Sequence, residues 1–281
     1  MKPADSVDQF PQLSSMGIVG GTVDQTPEQN LLHWSFSSLS WSSSFPSGKR
    51  VLECGVMDVY LASPNTQQQA EHVSEMPVLL SFACWSKWLD GYQSSFRRIL
   101  IDSGAYSEMN SGVKIDGLQY LEWCQRWKPH ADAIAGIDDI SGDWKRSLLN
   151  YEKFGGFPTM HDTDPPELLN DLIDVARQQG KNWIGIGLQP PREGKERFIR
   201  SVCDRVPDDI HLHGWALRRY THVRRLDSVD STNWWRDAMK LRTMQDTKHL
   251  TYGECLEIIV KRYKRWTREI SDLDSTQGVL F

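Results

Sequence analysis

The strongest constraint on the fold is a regular alternation of short strand-like segments with longer helix-like segments. Eight short apolar runs, bounded by turn-forming residues, are typical of buried strands. We predict strands at 56–61, 78–83, 98–102, 133–138, 157–161, 183–187, 210–214 and 226–230. Amphipathic patterns predict helices at 116–127, 143–153, 165–179, 192–205 and 233–243. Strand–helix alternation predicts a parallel sheet, and eight repeats predict a closed (β/α)8 barrel rather than an open sheet.

The repeat pattern is weak at its start and absent before it. Residues 62–77, between the first two strands, show little helical character. Residues 1–50 are rich in serine and have no sustained period, so we predict an extension that is ordered only in part. The barrel domain then occupies 51–281, with a last helix at 253–270 packed outside the barrel.

Composition restricts the class of protein. The 281 residues are 39% hydrophobic and 25% charged, which suits a domain with a sizeable core. No run approaches the roughly 18 apolar residues of a membrane span, and "MKPADSVDQF" lacks the apolar region of a signal peptide. We therefore expect a cytoplasmic protein with no membrane partner. The five cysteines are scattered without a CxxC pair, which indicates neither a disulfide framework nor a zinc site.

The residues that close the predicted strands are the first candidates for a functional site, because barrel active sites form at the C-terminal ends of the strands. These residues are Asp102, Asp138 with Asp139, His161, Gly187, His213 and Asp230. Helix capping alone would often use serine or asparagine. Carboxylates and histidines at five strand ends therefore predict one polar site at the mouth of the barrel.

Two of these carboxylates suit covalent chemistry. Asp102 lies in "IDSGAYS" and Asp230 lies in "SVDSTNWW". A carboxylate pair across a barrel mouth is typical of substitution at an anomeric carbon, where one acid attacks and the other transfers protons. The pair also fits magnesium-dependent phosphoryl transfer, an aldolase-like site, or simple capping of the following helices. Spacing alone does not decide which acid would be the nucleophile.

The histidines allow a different interpretation. His211 and His213 alternate along one strand, so their side chains face the same way. Together with His161 they could form a metal site of the barrel-hydrolase kind. Such hydrolases place this motif on their first strand, whereas here it is on the seventh, so we predict no metal site. His161 and His213 are then interpreted as binding residues for sugar or phosphate, and His211 as a packing residue.

The motifs taken together resemble the tRNA-guanine transglycosylase superfamily. "IDSGAYS" is similar to that family's aspartate–serine–glycine motif, and "GIDDISGD", "FPTMHD", "WIGIGL", "HLHGW" and "SVDSTNWW" follow in the order of its phage-type branch. That branch is the DNA-guanine transglycosylases, and the resemblance spans about 51–270. It implies a barrel enzyme that replaces guanine in DNA with a 7-deazaguanine such as preQ0. It also implies no cofactor, and DNA with a flipped guanine and the free deazaguanine base as partners.

The resemblance also implies roles for individual residues. Asp230 would attack C1′ of the deoxyribose, and Asp102 would protonate the departing guanine. Ser103 and Asp138 would line the base pocket, where a carboxylate accepts hydrogen bonds from the guanine edge. The other implied substrate-binding residues are Gly104, Tyr106, Asp139, His161, Gly185, Gly187 and His213. In "GIGL" the missing side chains would let a flat base approach the backbone. Tyr106 would stack on that base, the alternative being a barrel-core tyrosine.

A basic run, "RRYTHVRR" at 218–225, lies between the last two predicted strands on the functional side. Its arginines, Arg218, Arg219, Arg224 and Arg225, could hold the phosphates beside a flipped nucleotide. The alternative is a salt-bridged helix.

The chain departs from the tRNA enzymes at one point, since their structural zinc is held by three cysteines and a histidine near the C-terminus. Only Cys255 lies beyond Cys203 here. The resemblance therefore implies a barrel without the zinc subdomain and favours DNA over tRNA. A tRNA substrate, a glycosidase, a metal-dependent hydrolase and a non-enzymatic nucleic-acid-binding protein remain alternatives.

Overall fold

The computed structural model describes residues 57–112, 114–180, 182–223 and 225–277, so the serine-rich segment 1–50 lies outside the described residues. The described residues form eight strands: β1 (Asp58–Ala62), β2 (Pro77–Ser81), β3 (Arg98–Asp102), β4 (Ala133–Ile134), β5 (Thr159–His161), β6 (Trp183–Gly187), β7 (His211–Gly214) and β8 (Ser228–Ser231). All paired strands are parallel, in the order β4-β3-β2-β1-β8-β7-β6-β5. The eight predicted strands are confirmed, although β4 and β5 are shorter than predicted.

The sheet closes on itself between β4 and β5. A parallel bridge pairs Ala135 with Phe157. The Phe157 N–H donates to the Ile134 carbonyl at 2.8 Å, and the Gly136 N–H donates to the Phe157 carbonyl at 2.9 Å. With this seam every strand has two neighbours, so the fold is an eight-stranded parallel α/β barrel.

Helices cover the outside of the barrel. Their bounds are α1 (Gln67–Val73), α2 (Ala105–Ser111), α3 (Gly117–Trp127), α4 (Trp144–Phe154), α5 (Leu168–Gln178), α6 (Glu196–Arg205), α7 (Asn233–Thr243) and α8 (Tyr252–Gln277). The four predicted crossover helices, the predicted helix after the last strand and the final helix are all present. Among the described helices, none has both the length and the apolar character needed to cross a membrane.

The first two crossovers differ from the regular pattern. Helix α1 forms where the sequence showed little helical character, because the Thr66 hydroxyl caps it by accepting from the Gln69 N–H at 3.2 Å. Burial of Ala70 and Val73 adds tertiary packing to this cap. After β2 no α-helix forms, and two short 3-10 helices at Phe82–Cys84 and Lys87–Tyr92 connect to β3.

Two apolar layers follow from the alternation of side chains along each strand. Ile99, Ile101, Ile184 and Ile186 belong to the large core between the sheet and the helices. A separate, smaller cluster fills the barrel interior: Tyr60, Ala62, Leu79, Leu100, Ala133, Ala135, Phe157 and Trp183, with Trp215 packed against them. Every second residue of a strand faces inward. The inward-facing residues at the C-terminal ends of the strands therefore meet at the mouth of the barrel.

Candidate functional site

A cavity of about 1260 Å³ opens at the C-terminal ends of the strands. Five residues singled out by the sequence line it: Asp102, Asp138, His161, Gly187 and Asp230. Three of them end their strands, Asp230 is the last residue but one of β8, and Asp138 follows the end of β4 by four residues. The structure therefore brings together five of the residues singled out at strand ends. They lie together because the strands of a closed barrel end at one mouth, where their inward-facing residues surround one space.

Asp102 ends β3 in an environment that opposes its ionisation. Burial raises its pKa to about 6, and the nearby charges of Asp230 and Asp138 also raise it, while the Gly104 N–H acts in the opposite direction. Gly104 itself is required here, because its φ is +83° and a Cβ would lie 2.4 Å from the Cβ of Ala83. Burial thus gives Asp102 a pKa well above the ordinary 3.8 of an aspartate.

Asp230, in β8, is held by a different set of contacts. Its side-chain Oδ1 accepts a hydrogen bond from the Ala216 N–H at 2.6 Å. The same oxygen lies 3.6 Å from Nε2 of His213. The described residues offer no hydrogen-bond donor to Oδ2, and the residue is only 6% exposed. Asp230 is therefore a carboxylate anchored through one oxygen at the wall of the cavity.

A third acidic group, Asp138, forms a polar array with His161. The Tyr151 hydroxyl donates to Oδ1 of Asp138, and Oδ2 lies 3.9 Å from Nε2 of His161. On its other side, Nδ1 of His161 lies 3.5 Å from Oδ2 of Asp164. Burial lowers the pKa of His161, but its hydrogen bond to the Asp164 carboxylate and the charges of the neighbouring carboxylates raise it more, so the net shift is upward. Burial raises the pKa of Asp138.

Two residues that the sequence analysis assigned to the site serve local structure instead. Ser103 is 2% exposed, and its hydroxyl accepts from the Ala105 N–H at 3.4 Å, at the start of α2. Asp139 accepts from the Ser141 N–H at 2.9 Å and pairs with Arg146 at 3.2 Å. Neither residue lines the cavity. Both side chains make the short-range hydrogen bonds to nearby backbone N–H groups that are typical of turns.

Gly185 lies beneath a tryptophan. The Trp215 indole donates to the Thr159 hydroxyl at 3.0 Å. A Cβ at position 185 would lie 2.3 Å from Nε1 of Trp215. The space left by this glycine is filled by the indole, so it does not admit a ligand to the backbone. Gly187, two residues on, does line the cavity and faces the His161 ring.

Aromatic and basic residues form the rim. Tyr106 is 46% exposed and lines the cavity, so it is a rim residue and not part of the barrel core. The guanidinium of Arg192 lies 5.5 Å from the centre of its ring. Arg192, Tyr151 and Trp215 were missed by the sequence analysis. Tyr151 occupies a buried helix position that resembles any core position, and Arg192 lies in the loop after β6 without a distinguishing motif. Trp215 ends the motif "HLHGW", from which the sequence analysis assigned only His213 to the site.

The basic run 218–225 divides between the two ends of the barrel. Arg218 and Arg219 line the cavity. Arg218 packs over the Tyr263 and Trp266 rings at 4.9 and 5.0 Å, and Arg219 pairs with Glu193 at 2.8 Å. Arg224 lies outside the described residues.

Arg225 is at the opposite end. It donates to the carbonyls of Pro207 and Ile210 at 2.7 and 2.8 Å, ahead of β7, and pairs with Asp227 ahead of β8. The assignment of Arg225 to the same site is therefore wrong, because its side chain contacts the residues ahead of β7 and β8, at the base of the barrel.

The histidines of the HxH pair do not converge with His161. His211 and His213 both contact the hydroxyl of Ser228, at 2.7 and 2.8 Å. In the part of the chain that the structure describes, no group of three or more metal-ligating side chains is arranged to hold a metal ion. The metal-dependent hydrolase alternative therefore has no candidate ligand set among those residues.

Comparison with known proteins identifies no family. No family model matches the chain, and no curated protein matches it. One similar solved structure is described as native KDPGal, with 13% identity, a TM-score of 0.40, and coverage of 74% of this chain and 94% of the other. N-(5'-phosphoribosyl)anthranilate isomerase from Pyrococcus furiosus has 11% identity, a TM-score of 0.37, and coverage of 74% and 99%. Similarity at this level says nothing about activity.

Proposed function

We propose that this protein replaces guanine in DNA with a 7-deazaguanine base of the preQ0 type, through a covalent aspartyl–deoxyribose intermediate. The observation that supports this most directly is the pair of unlike carboxyl groups on one cavity. Asp230 is anchored through one oxygen by the Ala216 N–H, and the pKa of Asp102 is raised to about 6. Two carboxyls with different environments are the usual basis for separate nucleophile and acid roles.

The first half-reaction assigns these roles. Oδ2 of Asp230 attacks C1′ of the deoxyribose while the bond from C1′ to N9 of guanine breaks. The electron pair of that bond goes to guanine, which takes a proton from Asp102. With a pKa of about 6, roughly one-tenth of the Asp102 side chains carry this proton at pH 7, so the acid is available without extreme conditions.

The second half-reaction reverses these steps with a different base. The incoming 7-deazaguanine gives a proton to the Asp102 carboxylate, and its nitrogen attacks C1′. The bond between C1′ and Oδ2 of Asp230 breaks, and the carboxylate is regenerated. No net proton or electron is consumed, so the two carboxyl groups are sufficient for the exchange.

We assign recognition of the base to Asp138 and the residues that contact it. Tyr151 occupies one oxygen of this carboxylate, which fixes its plane. Its remaining acceptor sites suit the N1–H and 2-amino group of a guanine-type edge. Tyr106 and the exposed Arg219 at the rim suit an unstacked nucleotide and its phosphates. Base exchange needs such a flipped nucleotide, because the glycosidic bond is inaccessible inside a duplex.

The first prediction concerns Asp230→Asn, which keeps the shape of the side chain but removes the nucleophile. We expect release of labelled guanine from duplex DNA, in the presence of preQ0, to fall at least about a thousandfold. Without acceptor base, the wild type should form a DNA–protein adduct that survives denaturing electrophoresis, and the variant should not. The matched control is Asp209→Asn, an exposed carboxylate whose partner is Arg177, which should retain wild-type release.

The same assay separates the alternatives. Release from labelled tRNA but not from DNA would assign the protein to RNA. Cleavage of simple glycosides without nucleic acid would favour a glycosidase. Absence of guanine release from both nucleic acids would contradict the proposal.

A further inference from the structure

We propose that His213 does not bind substrate but positions the Asp230 carboxylate, as the end of a hydrogen-bonded chain through the barrel interior. The chain runs from His211 to Ser228, then to His213 and Asp230. Its defining feature is an Nε2–H of His213 directed at Oδ1 of Asp230. The kinetic part of this inference rests on the proposed function, whereas the contact itself does not.

Burial excludes His213 from contact with a substrate. The residue is 0% exposed and does not line the cavity. Its ring lies edge-on to Trp215, with 4.5 Å between ring centres and 76° between planes, and edge-on to Tyr60 at 5.9 Å. The sequence-based assignment of His213 to substrate binding is therefore not compatible with its position behind Asp230.

The two ring nitrogens of His213 have unequal partners. Nδ1 lies 2.8 Å from the Ser228 hydroxyl, which also lies 2.7 Å from Nε2 of His211. Nε2 has no hydrogen-bond partner within the described residues. The polar atom facing it is Oδ1 of Asp230, at 3.6 Å. Buried polar groups are normally paired, so an orphan nitrogen beside a carboxylate indicates a contact that shortens when the site is occupied.

The single proton of the Ser228 hydroxyl determines which nitrogen faces Asp230 as a donor. If Ser228 donates to His211, then a neutral His213 must donate through Nδ1, and the Nε2 lone pair faces a carboxylate oxygen. If Ser228 donates to His213, then Nε2 carries the hydrogen and faces Asp230 as a donor, while His211 donates to Ser228. Only in the second arrangement does every contact from His211 through Ser228 and His213 to Asp230 pair a hydrogen with an acceptor.

This donor acts on the step in which the charge of Asp230 changes. During attack, Oδ2 forms the bond to C1′ and the carboxylate loses its charge. In the second half-reaction that bond breaks and both electrons return to Asp230. An Nε2–H and the Ala216 N–H directed at Oδ1 stabilise the returning charge and hold the plane in which Oδ2 attacks. His213 is therefore a positioning residue that acts through Asp230.

The contact can be tested on the wild-type protein without any assay of activity. Histidine labelled with ¹⁵N allows the protonated ring nitrogens to be identified by long-range ¹H–¹⁵N correlation, with His213→Gln used to assign the signals. We expect a hydrogen on Nε2 of His213, and a change in its signal in Asp230→Asn. A neutral His213 that carries its hydrogen on Nδ1 would overturn the proposal.

The kinetic consequence is tested by a pair of substitutions. The amide nitrogen of Gln can occupy the position of Nε2, whereas that of Asn occupies the position of Nδ1 and reaches only Ser228. We expect His213→Asn to lower kcat for guanine release about 100-fold, with KM for DNA unchanged. His213→Gln should restore kcat to within about tenfold of the wild type. Thermal unfolding of both variants provides the control for folding.

The outcomes distinguish this inference from the proposed function. Equal kcat values for the two folded variants, or a change confined to KM, would overturn the positioning role. If the wild type releases no guanine but Nε2 of His213 carries its hydrogen toward Asp230, the base-exchange function fails and the contact stands.

Discussion

At the scale of single residues, environment separates side chains of the same type. Asp102, Asp138 and Asp230 all line one cavity, yet only Asp230 has an oxygen anchored by the Ala216 N–H. Burial raises the pKa of Asp102 to about 6, and the charges of the other two carboxylates add to that effect. Accumulating buried carboxylates costs folding free energy, and this cost is expected where a site is built for chemistry.

The second prediction concerns the folding free energy that the buried Asp102 carboxylate costs. In the folded protein the pKa of Asp102 is about 6, compared with an ordinary value of 3.8. The folded state therefore binds a proton more tightly than the unfolded state, and stability is lost as pH rises from about 4 to about 6. Asp102→Asn cannot ionise, so we expect it to raise the free energy of unfolding by about 3 kcal/mol at pH 7.

Urea unfolding at pH 7 and at pH 4 provides the measurement for Asp102→Asn. The gain in stability should be largely absent at pH 4, because the wild-type carboxyl is then protonated in the folded state. Asp209→Asn is the control, since that carboxylate is exposed. An equal gain for Asp102→Asn at both pH values would show that burial of a charge is not its cause.

At the scale of elements, β6 shows how one strand serves both packing and the site. Its inward series is Trp183, Gly185 and Gly187. The indole of Trp215, from the loop after β7, covers Gly185 and stacks on Phe157 with 5.8 Å between ring centres and 6° between planes. Gly185 thus leaves room for the packed indole, whereas Gly187 lines the cavity.

The third prediction follows from this packing. Gly185→Ala places a Cβ 2.3 Å from the Trp215 indole nitrogen, so the ring must move. We expect a loss of about 1–3 kcal/mol in the free energy of unfolding, which is typical of overpacking. The control is Gly91→Ala, where a Cβ would meet nothing within 4 Å. Equal stability of the two variants in urea unfolding would contradict the packing assigned to Trp215.

At the scale of the whole molecule, the two ends of the barrel carry different kinds of residues. The C-terminal ends of the strands carry the cavity, its acids and Arg219. The opposite end carries ion pairs within the protein, such as Arg225 with Asp227 and Arg98 with Asp132, at 2.8 and 3.0 Å. This division is expected in a (β/α)8 barrel, where residues at the base support stability.

The fourth prediction compares arginines from the two ends. Arg219→Ala should weaken binding to DNA and reduce the slope of log affinity against log salt by about 1, because one phosphate contact is lost. Arg225→Ala should leave that slope unchanged but lower the free energy of unfolding by about 2 kcal/mol, because its partly buried hydrogen bonds are removed. Salt-dependent fluorescence anisotropy and urea unfolding of both variants test this. A reduced slope for Arg225→Ala would contradict the placement of the functional face.

The fold could be predicted from the sequence to a large extent, because its main signals are local. Strand-like runs, turn residues and amphipathic periods each depend on a few neighbouring residues. They determined the number of strands, their parallel arrangement, four crossover helices and the helix after the last strand. Since parallel strands of a barrel end at one mouth, the positions of Asp102, Asp138, His161 and Asp230 in one site also followed from the sequence.

Only the tertiary structure decided how the side chains at that mouth are used. It placed Trp215 over Gly185, His213 behind Asp230, and Arg225 at the far end of the barrel. These outcomes depend on contacts between residues far apart in sequence and on the paths of loops, neither of which has a local pattern. The shift in the pKa of Asp102 likewise arises from burial and from charges on other strands, which exist only once the barrel has closed.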